Sequence, residues 1–217
     1  MEKKGFHFHY QQRNHIFDGT TTFENGLSIK KRDFEDLWKR LKTTVTKIPH
    51  NLTLMHLNCV KADGQNVRYA KDVLSENVAE LFRTLFPGDG AKLQLADLLS
   101  ATHKVFNLFT SNGAENSEIS KCTFGGINLQ NQLEIISNFK DFISTMKFSG
   151  KPKFNTALLI SVKATIELQE CLSTNYSLPQ LITSHITQER SLVHPFKKSD
   201  LNAHLILLNS AVPCILV

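Results

Sequence analysis

Between residues 66 and 86 the apolar side chains fall three or four apart: Val67, Ala70, Leu74, Val78, Leu81, Phe82 and Leu85. An α-helix gathers that spacing onto one face, so the stretch predicts a helix of roughly five turns that must bury its stripe. The same period recurs down the chain. Leu95, Leu98, Leu99, Val105, Phe106 and Phe109 predict a helix over 91–110, and Leu129, Leu133, Ile136, Phe139, Ile143 and Met146 predict one over 128–147. Leu158, Val162, Thr165, Leu168 and Leu172 predict another over 154–173, although LLISV within it also fits a strand. A shorter helix over 30–42 is marked by Phe34, Leu37, Trp38 and Leu41, with Ser28 or Asp33 near its start.

Polar breaks separate these segments: PGDG at 87–90, SNG at 111–113, a polar stretch with a GG pair up to 126, and SGKPKF at 149–154. Residues 49–64 read as a loop, and residues 1–27 as irregular or strand-like. The expected fold class is therefore mainly α, a helical bundle with a short irregular or β N-terminal segment.

A chain of 217 residues is long enough to bury a real core. Its 25 lysines and arginines against 20 aspartates and glutamates leave a net charge of +5, which tolerates a polyanionic partner without demanding one. No block of five or six like charges forms a basic arm. Cys59, Cys122, Cys171 and Cys214 lie far apart without a CxxC or a Cys/His cluster, which argues against structural zinc and a disulfide framework and predicts reduced thiols. No apolar run approaches the roughly 18 residues of a membrane span, and the first residues, MEKKGFHFHY, lack a signal-peptide core. An intracellular chain, nuclear or cytoplasmic, with no membrane partner is expected.

Strong chemical motifs are missing. There is no GxxxxGK[ST], and GGINL at 125–129 lacks the spacing and preceding strand of a dinucleotide turn. His7 and His9 would share one face of a strand, but no third ligand stands at a telling distance, so ordinary polar histidines are expected there. GxSxG is absent. Glu35 and Asp36 read as a solvated helix face, and Glu76 and Glu80, four apart, as a mildly repelling pair.

The order of local patterns, over roughly residues 26 to 198, resembles the P-element and THAP-domain transposases. GLSIKKRDFEDLWKRL at 26–41 is similar to the lead into that family's helical GTP-binding insertion. LTLMHLN at 52–58 is similar to its LTxKHL element, NVRYAKDVLS at 66–75 to the helix that opens with Val-Arg/Lys-x-Ala and closes with leucine and serine, and VFNLFTSNG at 105–113 to LFDxxNS. LEIISNFKDFISTMKF at 133–148, NTALLISVKATIELQECL at 155–172 and LITSHITQERSLVHPFKK at 181–198 resemble the elements that follow.

The resemblance implies four segments: residues 1–27 as a remnant of an RNase H-like core, 28–176 as the helical insertion, 177–198 as the return to the core, and 199–217 as a divergent tail. It implies GTP and Mg2+ as cofactors. Carried over position by position, the candidate nucleotide contacts are Val67, Ser75, Phe106, Asn107, Thr110 and Glu189. Two of these depart from the pattern. The family's base-reading aspartate falls on Asn107 and its following asparagine on Thr110. A carboxylate accepts from both guanine N1–H and N2–H2, whereas an amide offers one acceptor and a donor that meets guanine poorly. Weak GTP binding or none is expected, with an aspartate at 107 expected to restore it.

Catalysis fares worse under the same resemblance. The family cuts and joins DNA through acids that hold two metal ions. Its third acid falls on Leu192, which cannot bind magnesium. Glu189 keeps a carboxylate one turn earlier and is the one metal-ligand candidate, yet a single acid does not hold a pair of hard cations. No catalytic residue is assigned. The expectation is a catalytically inactive fragment of a P-element-type DNA transposase that comprises its GTP-binding insertion domain, or a non-enzymatic helical regulator or interaction domain that binds DNA or transposase subunits.

Overall fold

The computed structural model describes residues 7–19, 21–59, 66–111, 118–148 and 153–185. They cluster into two compact units, His7–Lys104 with Ser137–Asn155, and Val105–Ile136 with the described residues of 156–185. Most of the described residues are helical, as the periodicity predicts.

The first unit begins with helix α1, His7–Asp18, where an irregular or strand-like segment was expected. Its inward positions are partly polar, which hides the apolar stripe. Gln12 and Arg13 are fully buried beside Ile16. The Gln12 amide donates to Thr102 Oγ1 at 3.0 Å, and the Arg13 guanidinium donates to Asn14 Oδ1 at 2.9 Å and to Cys59 Sγ at 3.5 Å. The pair His7 and His9 thus lies on a helix rather than on a strand.

Strand β1 (Thr21–Thr22) lies between β2 (Ser28–Ile29) and β4 (Lys147–Phe148), antiparallel to both, with Thr21 opposite Ile29 and Phe148. Helix α2, Lys31–Thr43, opens where Asp33 Oδ2 accepts the Lys30 N–H at 2.8 Å, a carboxylate answering the orphan donors of a first turn. It buries Phe34 and Leu37. The Phe34 ring meets Phe17 and Phe82 edge-to-face, with centroids 5.2 and 5.5 Å apart, a favoured arrangement for the ring quadrupoles. A short helix α3, Leu54–Leu57, occupies part of the expected 49–64 loop.

The helix predicted over 66–86 is two helices, α4 (Val67–Val73) and α5 (Glu76–Leu85). Leu74 leaves helical geometry and Ser75 is extended. Because Val73, Leu74 and Val78 are all buried, apolar spacing runs through the break and conceals it. Helix α6, Gly90–Phe109, follows and contributes residues 90–104 to this unit.

The second unit takes Val105, Phe106, Leu108 and Phe109 from the end of α6 into its core. Phe124 on β3 (Phe124–Gly125) and Ile136 on α7 (Leu129–Thr145) join it, with Leu158 and Val162 on α8 (Lys153–Tyr176), so LLISV is helical. Strand β3 pairs antiparallel with β5 (Gln180–Leu181), Gly125 opposite Gln180. Cys59 and Cys122 are thiols outside any disulfide. Cys171 is disulfide-bonded, where reduced thiols were expected; cysteine spacing alone does not show which thiols the fold brings together. Among the described residues no helix is long and apolar enough to cross a membrane.

Candidate functional site

In the first unit the candidate residues stand at helix starts. Asn66 caps α4, its side-chain oxygen accepting from the N–H groups of Arg68 at 3.0 Å and Tyr69 at 3.4 Å. Val67 is the first helical residue and is half-buried. Ser75 caps α5: its hydroxyl accepts from Val78 N at 3.4 Å and donates to the Asp72 carbonyl at 2.9 Å. The serine therefore has a structural task, since it satisfies one of the first-turn donors that a helix cannot pair internally.

In the second unit Phe106 and Asn107 are buried in α6, and Thr110 follows at its end. The Thr110 hydroxyl turns back to donate to the Phe106 carbonyl at 2.9 Å. Asn107 is held from another segment, its amide nitrogen donating to Glu118 Oε1 at 3.2 Å. Ser120 donates to the same oxygen, and Lys121 Nζ lies 2.6 Å from Glu118 Oε2. Burial alone would raise the Glu118 carboxyl. The hydrogen bonds from Lys121 and Ser120, the Lys121 charge and the Asn107 amide outweigh it and hold the group below the usual carboxylate range.

The ends of this polar cluster are also tied down. The Ser111 hydroxyl donates to the Lys121 carbonyl at 3.0 Å, Ser184 N–H donates to the Ser111 carbonyl at 3.0 Å, and the Thr183 hydroxyl donates to the Leu108 carbonyl. Glu118 was missed by sequence reasoning because it lies in a polar stretch without periodicity. Its pairing with a residue eleven positions earlier depends on how the chain returns to α6.

The glycine pair has a structural explanation. Gly125 and Gly126 carry φ of +110° and +61°, conformations that L side chains rarely adopt. A Cβ on Gly125 would also strike the Pro179 carbonyl and come within 2.9 Å of Gln169 Nε2. The Gly125 N–H donates to Gln132 Oε1 at 2.8 Å. GGINL thus makes the β3–β5 joint possible.

Two further polar groupings lie in the first unit. His56 on α3 is buried; its Nδ1 lies 3.1 Å from Thr53 N and 2.7 Å from Thr53 Oγ1, and its Nε2 lies 3.4 Å from Asp72 Oδ2 on α4. Glu76 and Glu80, read as a repelling pair, are both held by Arg83, which also reaches Asp97 Oδ1 at 3.0 Å. Ser100 donates to Glu76 Oε2 at 2.6 Å.

The other two positions singled out in the sequence, Glu189 and Leu192, lie outside the described residues. Among the described residues no group of three or more His, Cys, Asp or Glu could hold a metal ion. As for guanine, residue 107 offers an amide whose nitrogen already serves Glu118, and that donor set does not fit a base edge presenting N1–H and N2–H2.

No protein-family profile matches the chain, and no curated protein matches it. Its fold is similar to that of a solved chain described as the Drosophila P element transposase strand transfer complex, with a TM-score of 0.75 and 21% sequence identity. The similarity covers 85% of this chain and 43% of that one, so this chain spans less than half the length of the protein it resembles.

Proposed function

We propose that this chain is a transposase-related protein that does not itself cut or join DNA, and that it works as a non-enzymatic regulator through contact with DNA. The observation that carries the reading is the likeness of fold to a chain from a transposase strand transfer complex. The lack of catalysis rests on Leu192, which stands where the resemblance calls for an acid and cannot ligate magnesium. Contact with DNA is supported by the net charge of +5 and by the exposed Lys30, Arg32, Lys39, Arg40, Lys42 and Lys47 on and around α2, a set suited to phosphates rather than to base edges.

Nucleotide binding is weak under this reading and does not select guanine, because the amide at 107 is committed to Glu118. A mobility-shift titration at rising salt tests the DNA contact. Affinity that falls steeply with salt concentration supports it. Failure to retard DNA at low salt, together with capture of intact transposase subunits, would move the reading to a protein-binding regulator.

A further inference from the structure

We infer that Glu118 decides base selectivity in the second unit, by fixing residue 107 as an amide. The inference rests on the reading above that 107 is the base-facing position. Asn107 Nδ2 donates to Glu118 Oε1 at 3.2 Å. A carboxylate only accepts, so the partner at that distance must be a donor. Replacing the amide by a carboxylate would set two acids at hydrogen-bond distance, where both cannot ionise and one proton is shared. Such a pair does not present two free acceptors to a base.

Glu118 is not free to leave, since Ser120 donates to Oε1 and Lys121 holds Oε2 at 2.6 Å. Asn107→Asp alone therefore does not restore guanine reading, contrary to what the sequence suggested. With Glu118→Gln added, the amide and the carboxylate exchange places. The amide at 118, its nitrogen in the place of Oε1, donates to the acid at 107, which stays ionised; its oxygen in the place of Oε2 accepts from Lys121, and the Ser120 hydroxyl turns to accept from the amide nitrogen.

The test is titration calorimetry of GTP and ATP with the parent, Asn107→Asp, Glu118→Gln and the double variant, each first checked for native circular dichroism. The parent and both single variants should bind the two nucleotides within about threefold of each other, and the double variant should prefer GTP by about tenfold or more. A tenfold GTP preference in Asn107→Asp alone overturns the inference. So does a parent that already prefers GTP by tenfold and keeps that preference in Glu118→Gln. A double variant that binds both nucleotides equally also overturns it while leaving nucleotide binding in place; one that binds neither removes the base-facing reading of 107 as well.

Carboxyl 13C titration of Asn107→Asp gives a readout independent of nucleotide. One acid of the pair should titrate well above the ordinary carboxylate range. Two ordinary titrations would contradict the shared proton.

Discussion

His56 Nε2 lies 3.4 Å from Asp72 Oδ2, and this contact joins α3 to α4 across fifteen intervening residues. The same ring closes the start of α3, where Thr53 N–H reaches Nδ1 at 3.1 Å. Nδ1 accepts from that N–H only when unprotonated, so the proton of the neutral ring sits on Nε2 and faces Asp72. The Tyr69 ring packs edge-on at 4.8 Å. The LTLMHLN element is thereby a brace. His56→Ala should destabilise the first unit by about 1–3 kcal/mol, since it removes partners from Thr53 and from a mostly buried carboxylate. His56→Gln should cost less, because an amide keeps one donor and one acceptor. Urea unfolding of the two variants decides the order, and equal losses would show that the ring serves only as packing.

Ser75 gives a prediction that separates its two readings. As a cap of α5, its loss in Ser75→Ala should cost about 1 kcal/mol with nucleotide absent, and Ser75→Asp should recover most of it. An alanine variant of parental stability would remove the capping account and return the hydroxyl to ligand binding.

Gly125 tests the β3–β5 joint. Gly125→Ala meets both an unfavourable φ and the Pro179 carbonyl, so a loss of at least about 1–3 kcal/mol is expected. Thermal melting should show the shift. A neutral result would mean that the strand pairing gives way at little cost.

Acid should weaken the second unit through Glu118. Its folded-state carboxyl is held below the usual range. The folded form therefore binds its proton less readily than the unfolded form. Its contribution is fully present above the unfolded value of about 4.3 and is lost as pH falls through the lower folded value. Glu118→Gln should flatten that part of the stability profile. If parent and variant lose stability in parallel below pH 4.5 or so, other carboxylates govern the acid limb.

The long helices were legible because their apolar residues keep a 3.6-residue period: Leu95 to Phe109 and Leu129 to Ile143 read directly as α6 and α7. Helix α1 was not, since Gln12 and Arg13 fill inward positions, where Thr102 and Cys59 meet them from distant parts of the chain. The break at Leu74 escaped for the opposite reason: a buried leucine at the junction suits both helices, and only Ser75 marked it. Of the candidate site, Asn107 was visible as an oddity, but its partner was not. No periodicity links position 107 to 118; the pair exists because the chain folds back after α6.

The central claim is that this transposase-like fold engages DNA without performing the chemistry. A strand-transfer reaction with labelled transposon-end DNA and Mg2+ or Mn2+, scored on one sample for both retarded and covalently joined product, tests it most directly. The account predicts salt-sensitive retardation with no joined product above a heat-killed control, and no gain from Leu192→Glu. Metal-dependent joined product from the unmodified chain would contradict it.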